Sequence, residues 1–470
     1  MKLAVALIAN AALLAGLLPW LRGEWRAAPR PLRRVLLPAL ALRLLVGVLR
    51  SRHLTADSFW INELGNSLSS LLWADPAALV RHLLGDSYHL NGWDLDRPGT
   101  AGNFLVTNNS FFFSKLLAFV DVASLGLGWL NGLYLSLFAF VGGWKLVRAL
   151  ARAFPAAPAG AGAVAFLLWP SVVGFGSGIT KEALLLGSGT WLLALVVPRL
   201  YAADAGAGAA PAARRPVGSV VAGGVGMLLL ALLHFKARYF FAAPLLLGLA
   251  GLTLIRLAQR LGTARSRAAQ AGLLLALLLA GAGVGPELSI VFTLNKFTSQ
   301  LTKIYDHHLS TSADKPHFEY PDLRPTAGSV LRHASAAVWN CLTRPWLGEA
   351  RAPAYVAAGL ENLALLALLA LAAGAVWRGR SGGRLPFALV LALGLHCLLL
   401  AFLIGLSTPN LGSLHRYRSG MLPFLLLLLL QNDYAAALLR RVGLGNEPGP
   451  DAAPAGPAPP GRPAAVSLPT

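Results

Sequence analysis

The sequence predicts an all-α protein, a polytopic bundle of transmembrane helices. Of its 470 residues, 56% are hydrophobic and 13% are charged, whereas a soluble domain carries about 25% charged residues. The apolar residues also gather into long runs, and a membrane helix needs roughly 20 mostly apolar residues. These observations exclude an ordinary water-soluble domain and a disordered chain, which would need low hydrophobicity.

Eleven apolar runs within residues 1–444 are candidate spans, so the sequence predicts one transmembrane domain of about 11 spans. Several of these runs are short or are interrupted by Gly or Pro. The runs lie at Leu3–Leu21, Val35–Leu49, Leu127–Leu146, Gly160–Gly176, Ala183–Val197, Val217–Leu233, Phe240–Ile255, Ala269–Val284, Tyr355–Val376, Phe387–Leu406 and Met421–Leu439.

The charged residues between the spans indicate the orientation of the bundle. The chain has 40 Lys and Arg against 20 Asp and Glu, a net charge of +20, and the arginines cluster in alternate connections. Because cytoplasmic loops are enriched in Lys and Arg, the N-terminus is predicted to lie outside and the C-terminus in the cytoplasm. Because the arginines lie between apolar runs, the expected partner is an anionic lipid bilayer and not nucleic acid. The predicted location is the inner (plasma) membrane of a bacterium.

Two long extracytoplasmic loops are predicted, at about residues 51–110 and 286–353. Loops of this length usually carry function or structure of their own. Both contain aromatic residues, Pro and Gly, which favours partly helical lids. Residues 445–470 are rich in Pro, Ala and Gly, a composition that predicts a disordered cytoplasmic tail.

An acidic stretch follows the second predicted span. It contains Asp57 and, six residues later, Glu63. A carboxylate just outside a membrane helix is suited to act as a general base or to position a metal. Asp57 is therefore the candidate catalytic residue and Glu63 a candidate binding residue; the alternative is an ordinary solvated loop.

Three basic clusters share the predicted outer face, although the positive-inside rule disfavours cations there. They lie at Trp169–Glu182, His234–Tyr239 and Ser407–Arg418. The first ends at the amino end of a helix, where an anion is favoured. The candidate substrate-binding residues are Lys181, Glu182, Lys236, Arg238, Tyr239, Arg416, Tyr417 and Arg418.

Three outward clusters of one sign indicate a single anion site, because an arginine guanidinium matches the oxygens of a phosphate. The alternatives are a Lys–Glu pair that caps a helix and basic side chains that reach toward lipid headgroups. No metal site is predicted, since His307, His308 and the nearby acids lack the ligand spacing of a zinc site. No cofactor is predicted, although a divalent cation that assists the reaction stays open.

The order of these parts resembles the polytopic glycosyltransferases of the GT-C type, which use polyprenyl-phosphate sugars. Asp57 matches the acidic motif in their first large outer loop. Many members carry paired acids there, where this chain has Ser58 as the next residue. The stretches W-P-S…S-G-I-T-K-E at Trp169–Glu182, R-Y-R…L-P-F at Arg416–Phe424 and R-P-W…E at Arg344–Glu349 are similar to patterns in the same group.

The resemblance implies a donor sugar on a polyprenyl phosphate and an acceptor that is a glycan, a lipid or a protein. The basic residues would hold the phosphate, with Arg344 as a further candidate. Asp57 would accept the proton of the acceptor hydroxyl, with inversion at the anomeric carbon.

Three other functions fit the same features. A polymerase or ligase of O-antigen or exopolysaccharide would depend on the loop at about 286–353, with Arg332, His333 and Arg344, and would tolerate loss of Asp57. A transporter would need polar groups near the membrane midplane, where the sequence has few. A non-catalytic membrane scaffold of envelope polysaccharide assembly would use the same loops to hold partners.

Overall fold

The computed structural model of the protein describes residues 1–84, 109–201, 217–288 and 290–445. All regular elements in these ranges are helices, which confirms the predicted all-α class. Part of the first long loop and the predicted tail from residue 446 onward lie outside the described residues.

The described residues form twenty α-helices and two short turns of other helical type. The first ten are α1 (Lys2–Ala27), α2 (Arg30–Arg52), α3 (Ala56–Ala74), α4 (Pro76–Leu84), α5 (Asn109–Ser124), α6 (Gly128–Ala153), α7 (Ala159–Ala163), α8 (Pro170–Phe175), α9 (Lys181–Tyr201) and α10 (Val217–Ala237). A π-helical turn at Val164–Leu168 joins α7 to α8, and a short 3₁₀ turn at Ile290–Phe292 precedes α13. The others are α11 (Tyr239–Arg260), α12 (Arg267–Leu288), α13 (Leu294–Ser310), α14 (Ala327–Arg332), α15 (Ala334–Thr343), α16 (Pro353–Trp377), α17 (Phe387–Ser407), α18 (Leu411–Arg418), α19 (Leu422–Leu429) and α20 (Asp433–Arg441).

Eight helices in the described part of the chain are long and apolar enough to cross a membrane, or nine if α19 and α20, bent by 97°, form one broken span. The predicted count of about 11 is therefore not confirmed in these residues. The run Val35–Leu49 lies in α2, whose six arginines make it too charged for an ordinary span. The run Gly160–Gly176 is divided between α7, the π turn and α8, because Pro170 begins a new helix.

Helices α2, α6 and α9 form the tightly packed centre of the bundle. Small residues allow the close approach: a methyl group on Gly142 of α6 would overlap the carbonyl oxygen of Gly187 on α9. Trp144 and Phe166 are fully buried beside this contact region. By contrast α1, α10 and α12 expose most of their apolar side chains, as expected for helices that face lipid.

The helices of the second long loop pack against the end of α17. Tyr305 and Tyr320 are buried there against Ile404 and Leu411. The Phe318 amide donates to the Pro409 carbonyl at 3.2 Å. These contacts fix α18 across one end of the bundle, beside the beginnings of α3, α9 and α11.

Candidate functional site

Charged side chains from five separate segments meet at this end of the bundle. They come from the end of α2, the beginning of α3, the beginning of α9, the turn between α10 and α11, and α18. We call them the charged cluster, which consists of Arg50, Asp57, Lys181, Glu182, Arg238 and Arg416.

The beginning of α3 is locked against the turn that precedes α9. Thr55 caps α3 by accepting a hydrogen bond from the Ser58 amide at 3.4 Å, as an N-cap threonine is expected to do. The Ser58 hydroxyl donates to the carbonyl of Ile179 at 2.7 Å. The two segments therefore hold Asp57 and Lys181 in fixed relative positions.

Asp57, Lys181 and Ser110 form a triangle at the mouth of the cluster. The Lys181 ammonium lies 3.6 Å from Asp57 Oδ2 and donates to Ser110 Oγ at 2.7 Å. Ser110 Oγ in turn donates to Asp57 Oδ1 at 3.3 Å. Because the Asp57 side chain is 43% exposed, its carboxylate is open to a molecule that approaches from outside.

Glu182 is the buried counter-ion of two arginines. Its side chain is only 3% exposed; Arg416 donates to Oε2 at 3.0 Å and Arg238 lies 3.3 Å from Oε1. The Arg238 contact is an ion pair without hydrogen-bond alignment, since Oε1 accepts no hydrogen bond from the described residues. The Tyr417 ring lies 4.2 Å from the Arg238 guanidinium carbon, where a cation–π contact is favourable.

The cluster holds more positive than negative charge. Arg50 donates to the carbonyl of Gly174 at 2.9 Å and lies in the field of Arg416 and Glu182. Four cationic side chains thus face two carboxylates, which leaves two positive charges in excess. Arg416 Nε is also buried and donates to no acceptor in the described part of the chain. Such a cluster is suited to bind an anion with about two negative charges.

A second set of polar side chains, Ser171, Glu361 and His415, lies next to the charged cluster. Glu361, near the beginning of α16, accepts a hydrogen bond from Ser171 at 2.5 Å, and its other oxygen lies 3.7 Å from His415 Nε2. That separation is too long for a hydrogen bond. Burial, and then the charge of Arg418, lower the pKa of His415 to about 3. We therefore describe the His415–Glu361 contact as one between a neutral imidazole and a carboxyl group, not as an ion pair.

Arg418 is fully buried and has protein partners of its own. It donates to Asn362 Oδ1 at 2.7 Å, to the carbonyl of Arg344 at 2.9 Å and to that of Cys341 at 3.3 Å. These bonds join α18 to α15 and α16. In this position Arg418 supports the site and does not face it.

An open cavity of about 270 Å³ begins at Arg238 and Tyr417. Its walls come mainly from α11, α13 and the end of α17, and they combine seven aromatic or aliphatic side chains with six polar or charged ones. His308 lies in its lining, and burial lowers the pKa of this imidazole. The charged cluster thus opens onto a partly apolar cavity.

Not all the predicted site residues meet here. Lys236 is exposed beyond the cluster, and Glu63 acts electrostatically on Asp121, further along the α3–α5 pair. The Tyr239 ring packs at an angle against the rings of Phe240 and Phe292 and lines the cavity. Arg344 pairs with Glu349 at 2.6 Å. Their predicted roles stay predictions.

Sequence reasoning missed four residues at or below the site. Arg50 ends a basic helix, Ser110 precedes an aromatic run, and Glu361 lies within an apolar span. His415 lies next to Arg416 in the third basic cluster. The one available signal was Glu361, because a carboxylate inside an apolar run is expensive and needs a reason.

No group of three or more His, Cys, Asp or Glu side chains is arranged to hold a metal ion in the described residues. The charged cluster itself pairs its carboxylates with cationic side chains, which is not the arrangement of a metal centre. No protein-family model, curated protein or solved structure matches this chain.

Proposed function

We propose that this multi-pass membrane protein is a glycosyltransferase that uses a polyprenyl-phosphate-linked sugar on the extracytoplasmic face of the inner membrane. One observation carries the proposal. An exposed carboxylate, Asp57, belongs to a cluster with two excess positive charges, at the end of a membrane helix bundle and next to a cavity that is partly lined by apolar side chains.

The phosphate of the donor would replace solvent between Lys181, Arg238 and Arg416. Arg416 Nε, which has no acceptor in the described residues, would donate to a phosphate oxygen. Glu182 would keep the two guanidinium groups in place, because it already contacts both. Preorganised donors of this kind stabilise the charge that develops on a leaving group.

The chemical step balances without a nucleotide. The bond between the anomeric carbon and the phosphate oxygen breaks, and its electron pair leaves with the phosphate. The acceptor oxygen bonds to the anomeric carbon, and its proton passes to the Asp57 carboxylate. A single displacement with Asp57 as the general base inverts the configuration at the anomeric carbon, so the expected outcome is inversion.

The cavity would take the first isoprene units of the carrier. Its lining from Phe240, Phe241, Leu301 and Ile304 offers apolar contact directly beside Arg238. A phosphate group with an apolar tail fits a cationic patch that continues into such a lining better than a free sugar phosphate does.

The test is transfer by the purified full-length protein in lipid nanodiscs, supplied with radiolabelled undecaprenyl-phosphate sugars and envelope glycan acceptors. The expected result is labelled product with wild-type protein and none with Asp57→Asn, at equal membrane expression. Asp75→Asn, an exposed acid at the beginning of α4, is the matched control and should retain transfer. Equal transfer by Asp57→Asn and wild type would remove Asp57 from the mechanism.

A further inference from the structure

A second cavity, of about 280 Å³, lies between the beginning of α1, α3 and α5. Asn66 and Asp121 line it, together with Trp73 and Lys2. Asn66 lies nine residues beyond Asp57 on α3, or about 14 Å along the helix at 1.5 Å per residue. The cavity is therefore separate from the charged cluster.

Asp121 has one satisfied oxygen and one unsatisfied oxygen. Asp121 is buried, with 3% of its surface exposed. Oδ1 accepts hydrogen bonds from Asn131 Nδ2 at 2.6 Å and from Ser124 Oγ at 3.3 Å. Oδ2 is buried and accepts none from the described residues. A buried acceptor without a donor is unfavourable, and a charged one is more so.

Two amide oxygens near Asp121 are also buried without a hydrogen-bond donor in the described residues. They are Asn66 Oδ1 and Asn131 Oδ1. The Asn131 amide cannot be turned over, because its Nδ2 already donates to Asp121 Oδ1 and to Asn62 Oδ1 at 3.0 Å. Asp121 Oδ2 and Asn131 Oδ1 can therefore only accept, and their partner must be a donor or a cation.

Two glycines leave room around these oxygens. A methyl group on Gly65 would lie 3.2 Å from Asp121 Oδ2, and one on Gly126 would lie 2.6 Å from Asn66 Oδ1. Gly126 also has a φ of +76°, a conformation that side chains other than glycine rarely adopt. A larger residue at either position would obstruct the oxygens that face the cavity.

We propose that this cavity binds a hard metal cation through Asp121 Oδ2 and Asn66 Oδ1, with water completing the coordination. Carboxylate and amide oxygens are the ligands that Ca²⁺ and similar hard cations prefer, and the site offers no sulfur or imidazole ligand. Glu63 adds negative charge nearby. With Asn131 holding Asp121, the cation would tie together α3, α5 and α6. The inference does not depend on the proposed glycosyl transfer.

Lys2 provides a second prediction for cation binding in this cavity. It lines the same cavity and is exposed at the beginning of α1. Its ammonium opposes a bound cation. Removing that charge should therefore strengthen binding, whereas a merely structural role for Asp121 predicts no such gain.

The test measures thermal unfolding of the full-length protein in detergent, with CaCl₂, MgCl₂ or NaCl titrated against choline chloride at constant ionic strength. A cation that binds the folded state raises the unfolding temperature in a saturable manner. The expected result is such a rise with at least one cation. Its midpoint should move at least about tenfold higher in Asp121→Asn and lower in Lys2→Gln, with no change in Asp75→Asn.

Asn66→Leu provides a second variant in case Asp121→Asn does not fold. It keeps the carboxylate, removes one ligand oxygen and should also weaken the response. The inference is overturned if none of the three cations raises the unfolding temperature more than choline does. It is also overturned if the folded variants at residues 66 and 121 respond as the wild type does.

Discussion

Arg416 and Glu182 are 234 residues apart in the sequence, and their side chains meet at 3.0 Å. Since Glu182 also lies 3.3 Å from Arg238, this one carboxylate fixes two arginines from different helix connections. Glu182 was predicted to bind substrate. That role stays a prediction; the observed contacts make Glu182 the counter-ion of Arg238 and Arg416.

Replacing Glu182 should destabilise the protein strongly. Glu182→Gln leaves two largely buried guanidinium groups without their carboxylate, and breaking a buried ion pair in this way costs about 3–5 kcal/mol. The measurement is the thermal unfolding temperature in detergent. The control, Asp75→Asn, loses an exposed pair with Arg81 that is worth at most about 1 kcal/mol. Equal shifts in the two variants would contradict the role of Glu182.

The two arginines of α18 should respond differently to replacement by lysine. Arg418→Lys shortens the side chain and loses Nη2, which lies 3.3 Å from His415 Nδ1. It should therefore weaken the bonds to the three oxygen acceptors of Nη1 and lower the unfolding temperature. Arg416→Lys keeps the charge near Glu182 and should mainly weaken binding of polyprenyl phosphate, because lysine lacks the planar fork. Unfolding and lipid-binding measurements on both variants separate the two effects. A larger loss of stability in Arg416→Lys would reverse the assignment.

Ser110 should contribute modestly to transfer. Its hydroxyl accepts from Lys181 and donates to Asp57, so Ser110→Ala removes a bridge but leaves both charged groups. A typical hydrogen bond contributes about 1 kcal/mol, which corresponds to a loss of about fivefold in the transfer rate. Ser110→Thr keeps the hydroxyl and should restore most of it. Identical rates for the Ala and Thr variants would exclude this role.

Stability should fall in acid partly through His415. Its pKa is lowered to about 3 in the folded protein by burial and by Arg418, whereas the unfolded imidazole titrates near about 6.5. Between these values the unfolded state binds more protons, so the contribution of neutral His415 to stability is lost as the pH falls below about 6.5. Glu361 also faces the imidazole.

The measurement is the unfolding temperature of wild type and His415→Gln between pH 7.5 and 4.5. Because glutamine does not titrate, the variant should lose less stability over this range than the wild type. Parallel curves would show that His415 is not held neutral by its surroundings.

The sequence predicted that Asp57, Lys181, Arg238 and Arg416 lie together, and these side chains meet at one end of the bundle; their role as a substrate site stays a prediction. Nothing in the sequence indicated Arg50, and only the cost of a carboxylate inside an apolar run indicated Glu361. Their positions depend on how α2 and α16 pack, and hydrophobic periodicity does not encode that packing.

Fewer helices of the described residues than the eleven predicted runs have the length and composition of a span, for a related reason. Apolar runs interrupted by Pro170 or by the bend after Leu429 have the composition of a span but not its continuous geometry. Arg43, buried in α2, donates to the carbonyls of Phe166 and Gly176 at 3.1 and 3.2 Å. Such a helix depends on its neighbours to satisfy its charge, and composition alone does not show them.

The most direct test of the account is binding of radiolabelled undecaprenyl phosphate to the protein in nanodiscs, for wild type, Arg416→Gln and Arg440→Gln. Arg440 is an exposed arginine on α20, outside the charged cluster, and serves as the matched control. We expect saturable binding by wild type and Arg440→Gln. Binding by Arg416→Gln should be at least about tenfold weaker, since a hydrogen bond to a charged group contributes about 1.5–3 kcal/mol. Equal affinity in all three proteins would contradict the account.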